Sequence, residues 1–310
     1  MQLFDRVPSI NFMGPRRAAV GVSVVAIIVS IGFLVTQRLD LGLDFTGGVL
    51  IEAGYEQPAD LENIRALLEA EGLDGGVVQN FGAATEVMIR MPPLEGDAEE
   101  SDLGDRVMAV LRAADETVQN RRIEVVGPQI GEDLIENAGL ALLFVLIMVF
   151  GYIVLRFRWK FAVGAISALV HDVVITFGFF SIVGLEFDQS VLAAVLAIIG
   201  YSLNDTIVVY DRIRENFRLM RRGTSEAIVN TSINQTLSRT IITGVTTLFV
   251  LLALLFLGGE AVKGFSITLI VGVIVGTYSS IYVASAAALF LDVSPMDLVP
   301  PKREEVDDMP

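Results

Sequence analysis

Asp205 stands in the stretch Gly200-Tyr201-Ser202-Leu203-Asn204-Asp205-Thr206, inside an apolar run covering 190–210. It lies about five residues, roughly 8 Å of helix rise, from the charged end of that run. A carboxylate at such depth in a bilayer is expensive and marks a transport path or a proton relay. Asp172, preceded by His171, lies about 16 Å into another apolar run, near mid-bilayer. Arg239 sits at the mouth of a third. Its side chain is long enough to snorkel a turn or more along a helix, so it reaches Asp205 if the two helices are neighbours. Ser202, Asn204, Thr206 and His171 are the polar residues closest to these charges. Two readings stay open: an architectural ion pair that locks two helices together, or a group that gains and loses a proton. In the second, burial disfavours the charged carboxylate and a nearby Arg favours it. A change in their separation between two states would then load and release a proton, and drive a cycle if the states open to opposite sides. Arg suits this role because it stays charged throughout.

The elements that must hold these residues are apolar helices. Of 310 residues 53% are hydrophobic, and the mean hydropathy is +0.62, well above a soluble globular chain. Six runs are long enough to cross a bilayer: 18–36, 138–155, 161–185, 190–210, 240–257 and 264–291. The first is followed by Gln37-Arg38-Leu39 with no small-residue cleavage site, so it reads as an uncleaved anchor. Lys and Arg concentrate in 1–17, the 156–160 turn, 211–239 and the tail, whereas the loops 186–189 and 258–263 hold only Lys263. The positive-inside rule therefore places both termini in the cytoplasm. The polytopic chain ends in an acidic cytoplasmic tail, 292–310.

Residues 37–133 form the one large polar segment. From 38 to 133 it holds 21 Asp and Glu against 7 Lys and Arg, which gives no pull toward phosphate backbones and argues against nucleic acid as a partner. Strands are expected at 48–55, 77–81, 86–91 and 122–126, with a turn at 82–85. Helices are expected at 58–71 and 103–118, the second with Leu103, Val107, Val110, Leu111 and Ala114 as its core stripe. The order βαββαβ is that of a ferredoxin-like α+β domain, extracytoplasmic by the charge rule. Residues 97–102 read as an acidic loop. No nucleophile–base pair or phosphate-cradling loop can be picked out. With no cysteine and one histidine, no thiolate or multi-histidine metal site is expected, and no cofactor.

Gly272 and Gly276 form a GxxxG pair on the sixth span, a helix-packing spacing. This span, or the fourth, is expected to line a junction with a partner. Thr224 or Ser225 with Glu226 reads as a separate helix start in a basic loop, 211–238, with Ile228, Ile233 and Leu237 facing the membrane surface.

Several motifs occur together: Leu43-Asp44-Phe45-Thr46-Gly47-Gly48, Val126-Gly127-Pro128-Gln129-Ile130-Gly131, His171-Asp172, Gly200 to Asp205, Asp211-Arg212-Ile213-Arg214-Glu215-Asn216, and Ser238-Arg239-Thr240. In this order they closely resemble the SecF members of the SecD/SecF family of protein-export membrane proteins, from the first span to about Leu291. The resemblance implies that the six spans are half of a resistance-nodulation-division (RND) type bundle in the bacterial inner membrane, with SecD as the other half. It implies use of the proton-motive force to help an unfolded preprotein leave the SecYEG channel, with YajC, YidC and membrane lipids as further partners. It assigns proton use to a fourth-span Asp and a fifth-span Arg, which match Asp205 and Arg239; from its depth in the third span, Asp172 is the next candidate. An RND-type exporter of lipids or small molecules would be expected to carry a larger, pocketed domain. An intramembrane aspartyl protease would carry Gly-x-Gly-Asp where this chain has Ser202-Leu203-Asn204-Asp205.

Overall fold

The computed structural model describes residues 6–93, 100–220 and 223–293. Helix α1 (Arg16–Thr36) leads into a short strand β1 (Asp40–Leu41), a single turn α2 (Leu43–Thr46) and strand β2 (Gly48–Gly54). Then follow α3 (Leu61–Ala70), β3 (Val77–Phe81), β4 (Ala83–Met91), α4 (Glu100–Ala114) and β5 (Gln119–Val126). Asp60 starts α3 by accepting from the backbone N–H groups of Glu62 and Asn63, both at 3.1 Å. The four strands pair antiparallel in the order β3-β4-β2-β5, as in a ferredoxin-like sheet. Its core joins Val49, Ile51, Val87 and Ile89 to Ile64 and Leu68 of α3 and to Leu103, Val107 and Leu111 of α4. Met108 completes the α4 stripe, while Ala114 faces solvent at the helix end. The turn between β3 and β4 is tighter than 82–85. Gly82, at φ +77°, makes it, and Phe81 already pairs with Ala83. Of the acidic loop, residues 97–99 lie outside the described residues and 100–102 open α4. The tail lies outside them from residue 294 onward.

Five further helical segments complete the bundle: α5 (Pro128–Arg156), α6 (Trp159–Val183), α7 (Gln189–Leu219), α8 (Ser225–Leu257), and a last span built of α9 (Lys263–Ser279), a π turn (Ser280–Ala284) and α10 (Ser285–Phe290). A two-residue strand, β6 (Glu186–Phe187), separates α6 from α7. Six of the described helical stretches are long and apolar enough to cross a membrane. Three reach beyond their apolar runs. Pro128 at the first position starts α5 ten residues before the apolar run. The 211–238 segment is no loop: α7 runs on to Leu219, and α8 starts at Ser225, capped by Thr224 at 3.2 Å from the Ala227 N–H. The two form a helical hairpin. Ile228, Ile233 and Leu237 are buried within the protein rather than turned to the membrane surface, because Ile213 and Phe217 of α7 cover this face. α9 packs on α6, α7 and α8, while α1 packs on α6.

A clasp ties the α+β domain to the bundle. β1 pairs parallel with β6, Asp40 opposite Glu186 and Leu41 opposite Phe187. Arg90 of β4 reaches into it, 3.0 Å from a Glu186 carboxylate oxygen and 2.9 Å from the Leu41 carbonyl. Asp44 accepts from the Gln189 N–H at 2.9 Å. Burial pushes the Glu186 carboxyl above the usual carboxylate range, with Arg90 opposing it. A raised folded value means that this group favours the fold most when protonated, and that the benefit is lost as pH rises through the raised value. Glu186→Gln, which resembles the protonated group, should therefore cost less than about 1 kcal/mol at pH 7. Arg90→Met should cost about 2–4 kcal/mol, since it strips partners from Glu186 and the Leu41 carbonyl together. Thermal unfolding of the two variants in detergent checks this order; equal losses would overturn it.

Candidate functional site

α6 places His171-Asp172 near its middle, and α7 places Ser202 and Asp205 one turn apart on one face. Both carboxylates are buried, Asp172 at 1% exposure and Asp205 at 7%. Each is held by hydroxyl groups from other helices. Asp172 Oδ2 accepts from Ser202 Oγ at 2.6 Å and from Ser279 Oγ at 2.8 Å, while Oδ1 lies 2.9 Å from His171 Nδ1. Asp205 Oδ1 accepts from Thr240 Oγ1 at 2.6 Å, and its Oδ2 accepts from Ser280 Oγ at 2.6 Å. Two consecutive residues, Ser279 and Ser280, thus reach the two carboxylates in opposite directions from one helix. Short bonds of this kind to an ionised acceptor are strong.

Each serine has a second acceptor. Ser279 Oγ lies 3.1 Å from the Gly276 carbonyl, and Ser280 Oγ lies 3.0 Å from that of Thr277. A hydroxyl owns a single hydrogen, so each serine donates to its carboxylate or to its own helix, not fully to both. The π turn begins at Ser280. Its carbonyls are met by side chains: Ser285 Oγ donates to Ser280 O at 3.1 Å, and Tyr210 Oη of α7 donates to Ala284 O at 3.0 Å. Gly164 of α6 makes room for that tyrosine, since a Cβ there would overlap the Tyr210 hydroxyl.

The GxxxG pair packs within the chain, against α7. A Cβ on Gly276 would lie 3.0 Å from that of Ser202, and one on Gly272 would overlap Ile198. The pair therefore lets α9 approach α7 closely enough for the serines to reach the carboxylates.

No ion pair joins Arg239 to Asp205. Successive residues on a helix point about 100° apart. Thr240 faces Asp205, and Arg239 is exposed on the other side, in a cleft with Tyr152, Asp211, Glu215 and Gln235. Asn204 is also exposed, away from the carboxylates, whereas Thr206 is buried. His171 stacks on Tyr278, ring centroids 6.0 Å apart, and its buried Nε2 has no partner. Thr240, Ser279, Ser280 and Tyr210 escape a reading of the sequence, because hydroxyl residues are common in apolar helices. The adjacency of two serines one turn after a GxxxG pair is the signal that was there. Among the described residues no cluster could hold a metal ion. The arrangement ties two buried carboxylates, through hydroxyl groups, to consecutive residues of the last span.

The family described as protein export membrane protein SecD/SecF, C-terminal, matches residues 106–294, and the SecD/SecF GG motif matches residues 32–59. The chain is 49% identical to the protein translocase subunit SecF of Vibrio alginolyticus over 100% of this chain and 99% of that one. It is 47% identical to that of Pseudomonas aeruginosa, over 98% and 99%. The crystal structure of SecDF, a translocon-associated membrane protein from Thermus thermophilus, superposes with a TM-score of 0.84 at 40% identity. That match covers 94% of this chain and 40% of the SecDF chain.

Proposed function

Because the chain belongs to the SecD/SecF family of protein-export membrane proteins, on its SecF side, we propose that it is one half of a device that uses the proton-motive force to promote late steps of export through SecYEG. It is a translocase subunit rather than an enzyme in the ordinary sense. SecD supplies the other half: this chain spans 40% of the SecDF chain it resembles. The open side of α8 that carries Arg239 is a face for that half to cover. The Lys and Arg distribution puts both termini in the cytoplasm and the α+β domain outside the bacterial inner membrane. There the domain can meet the emerging unfolded preprotein. YajC and YidC belong to the same assembly, and lipid surrounds the remaining apolar faces.

The observation that carries this reading is the pair of buried carboxylates, Asp172 and Asp205, gripped by consecutive serines of one helix. Ionised Asp205 accepts two hydroxyl hydrogens. Once protonated it must donate one bond, so one hydroxyl has to turn, and the packing around it changes. A rotation of α8 by about 100° exchanges Thr240 for Arg239 at Asp205 and favours the ionised form again. Alternation between these states moves protons and drives the cycle. In membrane vesicles holding this chain with SecD and SecYEG, late export should slow when an ionophore collapses the proton gradient. Vesicles lacking the pair should show no such additional slowing. Equal sensitivity in both would sink the proposal.

A further inference from the structure

We propose that Ser280 is the positioning residue through which the protonation of Asp205 governs the π turn of the last span, with Tyr210 as its fixed second anchor. The inference rests on the reading of Asp205 as a proton carrier. A π turn persists only where its surroundings over-determine it, and such turns gather at functional sites. Here α7 holds the turn near both ends. Asp205 takes the Ser280 hydroxyl at the first residue, and Tyr210 Oη holds the carbonyl of Ala284 at the last. Tyr210 is itself fully buried, with its ring 4.8 Å from that of Phe161 and edge-on to it. The second grip is therefore permanent, and the first depends on charge.

The chemistry of the first grip follows from one hydrogen and two acceptors. With Asp205 ionised, the Ser280 hydrogen goes to Oδ2, 2.6 Å away. A proton arriving on Oδ2 makes the carboxyl a donor to Ser280 Oγ, and the serine hydrogen turns to the Thr277 carbonyl, 3.0 Å away. That carbonyl lies just before the π turn, so the hydroxyl now competes with the backbone bonds that end α9. The turn loosens, and α10, packed on α6, is free to slip toward an ordinary helical register. The titratable or charged groups in the membrane-embedded parts of the elements packed against α7 are His171 and Asp172 on α6, Arg239 on α8, Tyr278 on α9 and Tyr282 in the π turn, with Tyr201 and Tyr210 on α7 itself.

Amide hydrogen exchange of the peptide covering 277–290 tests this, in the full chain assembled with SecD in lipid bilayers. After correction for intrinsic rates, wild type should show a transition to about threefold or faster exchange as pH falls. It should lie in the pH range where gradient-driven export changes. Ser280→Ala should exchange fast at every pH, and Ser280→Thr, which keeps the hydroxyl, should restore the transition. Tyr210→Phe should exchange faster overall with the transition kept. A merely structural serine would not move the transition. If wild type shows no transition while Asp205→Asn loses gradient-driven export, the π-turn proposal falls and the proton carrier stands. If Asp205→Asn keeps gradient-driven export, the carrier falls, and this proposal with it. Should Ser280→Ala fail to assemble, the wild-type titration and Ser280→Thr decide alone.

Discussion

Asp205→Asn is expected to abolish the dependence of late export on the proton gradient while leaving membrane insertion and assembly with SecD intact. Asn is nearly isosteric and can accept one of the two hydroxyl bonds that Thr240 and Ser280 now donate. It cannot change its protonation, so the alternation has nothing to drive it. Loss of coupling by a factor of about 100 or more is the order expected when the only titrating group of a step is removed. Export measured in membrane vesicles at matched protein abundance, with and without a gradient, gives the answer. If the carboxylate only braces the bundle, the variant should instead lose stability, by about 1–3 kcal/mol for a weakened buried network. Coupling per molecule would then be unchanged. That result would leave Asp172 as the remaining carrier.

Gly48→Ala should be the most damaging small substitution in the α+β domain. Gly48 opens β2 at φ +117°, a backbone region that side chains rarely enter, and a Cβ there would overlap the carbonyl oxygen of Met91. The preceding Gly47, at φ +70°, sits against Pro128 at the start of α5. The pair thus joins domain to bundle at a place with no room for a methyl group. We expect a loss of about 3 kcal/mol or more, strain and clash together. In the membrane this should appear as low abundance, with normal coupling in the molecules that remain. Gly21→Ala in α1, where nothing lies within 4 Å of the added carbon, should cost nothing and serves as the control. Equal melting temperatures for wild type and Gly48→Ala would overturn the argument.

Apolar run length was enough to find the spans, because no other element of a chain buries twenty apolar residues in sequence. Their true ends were hidden, since hydropathy reports where lipid begins and not where a helix stops. α7 and α8 continue through polar sequence on the strength of packing between Ile213, Phe217, Ile228 and Ile233. Asp172 and Asp205 stood out in the sequence, because a carboxylate in an apolar run is costly enough to need partners whether it braces the bundle or carries a proton. Their partners were not. Arg239 attracted attention by its charge, yet the residue beside it, Thr240, makes the contact, and one position is about 100° of helix. Sequence spacing gives a face only when one knows which face is inward, and here the surrounding spans decide that.

The continuity of α8 has a mechanical consequence. Its 33 residues make a rod of about 50 Å, well beyond the roughly 30 Å of hydrocarbon. Thr240, which touches Asp205, is the fulcrum, about 22 Å from the end near Ser225. A tilt of about 10° there, small enough for packed helices to absorb, would sweep the far end by about 4 Å. That end is not loose. Asn216 binds Ser232 and Gln235, each at 2.8 Å, so α7 travels with it. Asn230 and Asn234 take the backbone N–H groups of Phe12 and Ile10, at 2.7 and 2.9 Å, so the N-terminal strap follows as well. On the proposed mechanism, a sub-ångström change at one carboxylate would thereby be geared up into a displacement large enough for another protein to feel.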